Sequence, residues 1–173
     1  MRKTRIAAFL TGVLAALPAI SGALSADPGP ADGFAPRTLA AHNRERARLG
    51  IAQLVWNDRL AADAQKWANV LASRNAFEHS RARGVGENLW MGTANTYSPE
   101  GMIGAFIDEA RWFRPGTFPN VSTTKNWADV GHYSQLIWPA TRELGCALAR
   151  SRQNDVLVCR YRPAGNVMGR KVP

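Results

Sequence analysis

Residues 131–138 read Gly-His-Tyr-Ser-Gln-Leu-Ile-Trp, and residues 159–166 read Cys-Arg-Tyr-Arg-Pro-Ala-Gly-Asn. Three shorter motifs precede them: His42-Asn43-Arg44-Glu45-Arg46, Gly86-Glu87-Asn88-Leu89 and Phe106-Ile107-Asp108-Glu109. The motifs contain four titratable side chains of special interest: His42, Glu87, Glu109 and His132. Two imidazoles and two carboxylates are the groups that a divalent cation or proton-transfer chemistry requires.

The first 26 residues have the pattern of a secretory signal peptide. A basic start with Arg2, Lys3 and Arg5 precedes an apolar run over residues 6–17, and small residues then accumulate up to Ala26. Cleavage after residue 23, 25 or 26 fits this pattern. The run is short for a membrane span, and the cleavage region has no cysteine for a lipid anchor. We therefore expect a secreted or periplasmic protein without a stable transmembrane anchor.

The rest of the chain divides into a short lead-in and one domain. Residues 27–36 are rich in Pro and Gly and are predicted to be flexible, whereas residues 37–173 have the size of a single domain. The formal charge of +9 falls to about +6 when the three cations of the signal segment leave. The remaining basic residues are scattered, which favours weak attraction to anionic lipid or cell-wall polymer over nucleic-acid binding.

Two cysteines in an exported chain predict one disulfide. Residues 144–149 and 156–161 have the pattern of two short strands joined by a polar turn. If Cys146 lies opposite Cys159, the leucines two positions inward also face each other, and both pairs share one face of the sheet. Directly opposed residues of an antiparallel pair are close enough for a bridge. We therefore predict that Cys146 and Cys159 are bonded.

Three helices are predicted from local signals. The first spans residues 37–49, the second begins at Asn57 or Asp58, and the third follows Ser98. The segment around His132 is ambiguous, since a short helical turn could pass into a strand that ends before Pro139. Helices that precede antiparallel strands predict an α+β domain.

The order and setting of the five motifs resemble those of the CAP superfamily, which contains cysteine-rich secretory, antigen 5 and pathogenesis-related 1 proteins. The resemblance covers about residues 37–168 and implies a three-layer α-β-α sandwich with a central antiparallel sheet. It also implies a central cleft in which His42 and His132 hold zinc or another divalent cation through neutral imidazole nitrogens. No organic cofactor is implied. The short signal segment and the single disulfide are typical of a bacterial member.

The resemblance also suggests roles for other polar residues. Glu87 and Glu109 are expected to orient the histidines, or to act as a general base if the cleft is catalytic. Ser134 is interpreted as a hydroxyl that lines the cleft, because nothing in the sequence identifies an oxyanion hole beside it. His79, in Phe77-Glu78-His79-Ser80, resembles a family position but is interpreted as structural.

Two classes of function stay open. The first is a non-enzymatic binding module for a lipid, a sterol or a cell-envelope ligand, with residues 97–113 as an apolar wall. The second is a metal- or carboxylate-assisted hydrolase, such as a protease, in which Glu87 or Glu109 activates water. The chain lacks His-Glu-x-x-His and Gly-x-Ser-x-Gly, so the sequence favours binding over catalysis.

Overall fold

The computed structural model describes residues 30–173, so the predicted signal segment lies outside the described residues. The helices are α1 (Pro30–Arg48), α2 (Asp58–Arg74), α3 (Pro99–Ile107) and α4 (Gly131–Leu136), with 3₁₀ turns at Asp108–Trp112 and Trp127–Val130. The strands are β1 (Val55–Trp56), β2 (Gly86–Thr93), β3 (Gly116–Thr117), β4 (Glu143–Arg150), β5 (Asn154–Arg162) and β6 (Lys171–Val172). None of these helices has the length and apolar character needed to cross a membrane.

The central sheet has the strand order β1-β4-β5-β2. β5 pairs antiparallel with both β4 and β2, while the two-residue β1 pairs with β4 in parallel. α2 covers one face, where Ala64, Ala68 and Leu71 pack against Val156 and Val158. α1, α3 and α4 lie on the opposite face, over the larger apolar cluster. The arrangement is the three-layer α-β-α sandwich that the resemblance implied.

The ends of the helices follow the local signals in the sequence. The side chain of Asn57 accepts a hydrogen bond from the backbone N–H of Leu60, which caps the start of α2. Ser98 caps α3 in the same way, and Pro99 occupies the first helical position. Gly50, with φ +67°, follows the end of α1 in the left-handed region. The starts of α2 and α3 confirm the sequence-based predictions, and α1 ends one residue before the predicted position 49.

One local prediction was wrong, and another was confirmed only in part. α1 begins at Pro30, so residues 30–36 are helical rather than a flexible lead-in. Pro30 stands at the helix start, where its missing N–H group costs no hydrogen bond, and Pro36 is exposed. The segment around His132 forms the short helix α4, which confirms the helical turn, but residues 137 and 138 after it do not form the expected strand.

The disulfide prediction is confirmed together with its register. Cys146 and Cys159 are bonded and lie directly opposite each other on β4 and β5. Leu148 lies opposite Leu157, as the alternation of the two strands required. The bond therefore crosslinks the two central strands of the sheet.

Replacing Cys146 and Cys159 with serine is expected to lower the free energy of unfolding by about 3 kcal/mol, because the bond closes a short loop in the unfolded chain. Urea denaturation of the oxidised protein and the double variant measures the difference. In the presence of reductant the two proteins should unfold at nearly the same urea concentration. A difference that persists after reduction would assign the loss to the serines rather than to the bond.

The connection between α4 and β4 is held by Arg46 of α1, which is fully buried. Its guanidinium group donates at 2.8–3.0 Å to four backbone carbonyl oxygens, those of Ala52, Leu136, Trp138 and Thr141. These partners carry no formal charge, so carbonyl dipoles stabilise the cation. Burial lowers the pKa of Arg46 to about 10. The contacts fix the segment that leaves the helix of His132.

Candidate functional site

A solvent-open cavity of about 380 Å³ lies beside β2, one of the two edge strands of the central sheet. Its walls come from segments that are distant in the sequence: the residues before and within β2, residue 118 after β3, the 3₁₀ turn that precedes α4, α4 itself, and the residues after β5. Polar groups in the wall include His79, Glu87, Asn88, His132 and Asn166. The cavity therefore gathers several of the motifs of the sequence.

One imidazole of the cavity wall, that of His132, is held by the carboxylate of Glu109. His132 Nδ1 donates to Glu109 Oε1 at 2.6 Å. Glu109 Oε2 accepts from the backbone N–H groups of His132 and Tyr133, both at 3.0 Å. The carboxylate thus satisfies free N–H groups at the start of α4, where the helix dipole favours a negative charge. The His132 ring also stacks on buried Phe106, with the ring centroids 4.9 Å apart.

A second imidazole is held in a similar way. His79 Nδ1 donates to Glu87 Oε1 at 2.6 Å, and the backbone N–H of Ser80 donates to the same oxygen at 3.0 Å. Glu87 Oε2 lies 3.2 Å from Arg160 Nη2 in an ion pair without hydrogen-bond geometry. The Glu87 side chain is buried, whereas that of His79 is 61% exposed. A buried carboxylate therefore orients an exposed imidazole.

The two pairs share one chemical arrangement. In His79 and His132 the Nδ1 atom is engaged by a carboxylate, and Nε2 has no hydrogen-bond partner among residues 30–173. Carboxylates that fix the tautomer in this way are typical of histidines that bind metals. His79 was interpreted from the sequence as structural, and the structure instead places it in the cavity wall.

His42 is not part of this cavity wall. It is fully buried, its Nδ1 donates to the carbonyl oxygen of Thr38 at 2.8 Å, and its Nε2 accepts from the Tyr161 hydroxyl at 2.9 Å. Burial lowers the pKa of His42 to about 4 and raises that of Tyr161. A neutral histidine with both nitrogens occupied has no free lone pair for a cation. The structure therefore does not support the predicted pairing of His42 with His132 as ligands.

His42 instead supports the cavity from inside the core. The Tyr161 hydroxyl that donates to His42 accepts from Asn88 Nδ2 at 3.1 Å. The same amide group donates to the backbone carbonyl of His132 at 3.0 Å. A chain of hydrogen bonds thus connects His42 to the backbone of α4. We interpret His42 as a positioning residue.

One further group of potential ligands lies in the core. The side-chain nitrogen of His42 and the sulfur atoms of Cys146 and Cys159 lie within 4.8 Å of one another. The two sulfurs are bonded to each other, so neither is a thiolate that could bind a cation. This group does not form a metal site in the oxidised protein.

Ser134 is not part of the cavity wall either. It is buried, and its hydroxyl donates to Asn166 Oδ1 at 2.7 Å. Asn166, which does line the cavity, also donates to the carbonyl oxygen of Gly131 at 2.8 Å. Ser134 therefore holds a cavity residue in place instead of lining the cleft as predicted.

The apolar part of the cavity was not found from the sequence. Trp127 and Met168 line it and are 41% and 65% exposed, and Phe118 packs edge-on against the Trp127 ring. The apolar wall predicted at residues 97–113 does not form this part of the cavity. Met102 and Ile103 of that segment are buried in the core. Exposed apolar side chains beside polar groups are typical of binding sites, but only tertiary structure brings residues 127 and 168 together.

Residues 39–161 match the model of the CAP, or Cysteine-rich secretory protein, family. Venom allergen 5 of Polybia scutellaris rioplatensis is 34% identical over 128 residues, which cover 69% of this chain and 60% of that protein. Secreted protein RBT4 of Candida albicans is 35% identical over 140 residues, which cover 79% of this chain and 36% of that protein. The chain thus spans less than two thirds of both relatives. Pathogenesis-related protein 1C of Nicotiana tabacum is 32% identical, with 76% of each chain covered.

Solved structures show the same fold. The crystal structure of NaASP2 with Zn²⁺ superimposes with a TM-score of 0.65 at 23% identity, over 84% of this chain and 87% of that chain. BmVAL-1 also gives a TM-score of 0.65, at 19% identity and with 80% of each chain covered. The expected bacterial origin is not tested by these matches and stays a prediction.

Proposed function

This chain belongs to the CAP family of cysteine-rich secretory proteins, and on that premise we propose that it is an exported, non-enzymatic binding module with a divalent-cation site. His79 and His132 would hold the cation through their Nε2 atoms. Glu87 and Glu109 would fix the two rings. Export rests on the signal-like pattern of residues 1–26 and on relatives named as secreted or venom proteins.

The observation that carries this proposal is the pair of matched imidazole–carboxylate contacts in the wall of one cavity, each 2.6 Å long. Imidazole nitrogen is a common ligand of zinc, and a carboxylate on the other ring nitrogen makes the imidazole a better donor. Two protein ligands leave positions for water or for a group of a bound partner. A bound zinc ion would supply Lewis acidity there. The related fold of NaASP2, a structure with Zn²⁺, favours zinc among divalent cations.

The surroundings of the carboxylates favour binding over hydrolysis. Both oxygens of Glu109 accept N–H groups, and Glu87 is engaged by His79, Ser80 and Arg160. A general base needs a lone pair directed at water, whereas both oxygens of Glu109 and Oε1 of Glu87 accept from protein donors. Oε2 of Glu87 is buried beside Arg160. The carboxylates are thus suited to orienting imidazoles.

The cavity also suggests the character of its partner. Trp127 and Met168 present apolar surface next to the polar wall. A lipid, a sterol or a cell-envelope component with an apolar portion would contact these two side chains while a polar group completes the cation site. The contacts would bury apolar surface that is otherwise exposed to water.

Zinc is expected to bind the purified protein, with loss of affinity in His79→Ala and His132→Ala. Removing a group that only orients a metal-binding side chain lowers the metal affinity about 10- to 100-fold. Removing the metal-binding imidazole itself should therefore lower the zinc affinity at least tenfold. Glu87→Gln and Glu109→Gln should weaken binding by the smaller amount. Isothermal titration calorimetry measures all of these effects.

His42→Gln is the informative control, because it removes an imidazole from the core and leaves the cavity wall complete. A folded His42→Gln variant should keep its zinc affinity. Loss of binding in this variant, with binding retained in His79→Ala, would restore the sequence-based pairing and overturn our assignment. Turnover of peptide, ester or glycan substrates that disappears in Glu87→Gln would instead establish a hydrolase.

A further inference from the structure

A second cavity, of about 410 Å³, lies on the α2 side of the sheet. It is enclosed by α2, by residues 82–85 and by the end of β5. Four cationic side chains line it: Lys66, Arg83, Arg160 and Arg162. Asp63 is the one acidic residue of its lining. The cavity therefore has an excess of positive charge.

Most of these cations have an acidic partner, but the partners do not neutralise the cavity. Lys66 lies 3.0 Å from Asp63, and Arg162 lies 3.7 Å from Glu143. Arg83 has neither an ion pair nor a side-chain hydrogen bond within residues 30–173. An unpaired arginine beside three other cations attracts an anion.

Arg160 is the second indication of a ligand. Its side chain is only 5% exposed, and its one acidic contact is Glu87 at 3.2 Å. Its Nε and Nη1 atoms are buried and have no hydrogen-bond partner. A buried guanidinium with unused N–H groups is costly unless another acceptor approaches it. An anion in the adjoining cavity would supply negative charge at this point.

The other side of the cavity is apolar. Leu60, Trp67 and Val70 of α2 lie in its wall, together with Val85. The indole N–H of Trp67 donates to the carbonyl oxygen of Glu78 at 3.1 Å, which fixes the loop before β2 against the helix. A ligand that fits this site therefore combines an anionic group with an apolar body.

We propose that this cavity, between α2, residues 82–85 and the end of β5, is a second binding site that takes a phosphate monoester with an aromatic or acyl body. The phosphate would lie among Arg83, Arg160 and Arg162, since arginine N–H groups match phosphate oxygens in geometry and charge. A dianion suits three or more cations better than a singly charged carboxylate does. The apolar body would pack on Trp67. Glu87 contacts both Arg160 of this site and His79 of the cation site proposed above, but the phosphate site does not require a bound cation.

Phenyl phosphate is the probe, titrated by calorimetry into the protein with a chelator present so that no bound metal can receive the phosphate. Phenyl phosphate should bind more tightly than benzoate, and phenol should not bind. Arg83→Gln should weaken the phosphate binding about tenfold, the effect of losing a charge-assisted contact. Asp63→Asn should strengthen it, because a repelling carboxylate is removed.

Arg74→Gln is the matched control, since Arg74 lies on α2 outside the cavity lining and loses the same charge. It should leave the affinity unchanged. No binding of phenyl phosphate, equal losses in Arg83→Gln and Arg74→Gln, or equal affinity for benzoate would each overturn the proposal. Because a chelator is present, these outcomes are independent of the zinc experiment.

Vesicles identify the source of the phosphate. Phosphatidylcholine vesicles with and without phosphatidic acid are compared in a sedimentation assay. Binding that requires phosphatidic acid and is displaced by phenyl phosphate would assign the site to a lipid headgroup. Phenyl phosphate binding without vesicle binding would assign it to a soluble ester. Either result supports the phosphate site, whereas vesicle binding that phenyl phosphate does not displace contradicts it.

Discussion

Replacing Arg46 with methionine is expected to lower the free energy of unfolding by about 2–6 kcal/mol, because two buried carbonyl oxygens would be left without a donor. The carbonyl oxygens of Ala52 and Leu136 would lose their donor, because no other donor contacts them within residues 30–173. The oxygens of Trp138 and Thr141 would keep the N–H of Thr141 and the guanidinium of Arg142 as donors. Each buried acceptor left unsatisfied costs about 1–3 kcal/mol of unfolding free energy. A water molecule that enters the site and donates to these oxygens would reduce the total loss. Urea denaturation followed by circular dichroism measures the change.

Arg44→Met provides the comparison, because Arg44 lies on the same helix and is exposed. Its effect should stay within about 0.5 kcal/mol. Arg46→Lys keeps the positive charge but has fewer hydrogen-bond donors, so its loss of unfolding free energy should lie between those of Arg44→Met and Arg46→Met. If Arg46→Met does not fold, the lysine variant still measures the network. A loss below about 1 kcal/mol for both Arg46 variants would show that the carbonyl contacts contribute little.

Acid is expected to destabilise the protein through His42. Burial lowers the pKa of His42 to about 4 in the folded state, against about 6.5 in the unfolded chain. Between these values the unfolded chain binds a proton that the folded protein excludes, so stability falls as the pH falls. The contribution is fully present above pH 6.5 and is lost by pH 4, a change of about 3 kcal/mol.

The His42→Gln variant isolates this effect from the titration of carboxylates. Glutamine has a donor and an acceptor for Thr38 and Tyr161 but no titrating imidazole. Stability measured in urea at several pH values should fall more steeply with acid in the unmodified protein than in the variant. Parallel pH profiles for the two proteins would mean that His42 does not carry the acid sensitivity.

The parts of the fold that were predicted correctly depend on neighbouring residues. The register of β4 and β5 follows from strand alternation around Cys146 and Cys159. The caps at Asn57 and Ser98 need a side chain only three residues from its donor. Such signals are complete within a short segment, so the sequence alone is sufficient to find them. The arrangement of the layers came from the resemblance to the family.

The histidines show where local reasoning was insufficient. His42 lies between Ala41 and Asn43, and His79 lies between Glu78 and Ser80, and neither setting shows which imidazole is buried. Tertiary packing decides between them, because α1 buries His42 while the loop before β2 leaves His79 exposed beside Glu87. One local signal was available. His79 precedes Glu87 by eight residues, close enough for the Gly-Glu-Asn motif to contact it.

The sequence alone could not show which arginines are buried and which are exposed. In one short motif Arg46 is buried while Arg44 is exposed. In another, Arg160 is buried while Arg162 is exposed. Burial of Arg46 requires carbonyl groups from residues 136–141, which are far away in the chain. Burial of Arg160 requires Glu87 on the neighbouring strand β2. Composition and spacing do not contain this information.

The pairing of β2 with β5 has a consequence for the order of folding. The β4–β5 hairpin joins residues that are close in the chain, and the disulfide lies within it. β2, by contrast, pairs Gly86 with Tyr161, across α3, α4 and the hairpin itself. Local contacts close faster than distant ones, so we expect β2 to dock after the hairpin. The imidazole cavity is built on β2 and would therefore assemble late, so that ligand binding reports completed folding.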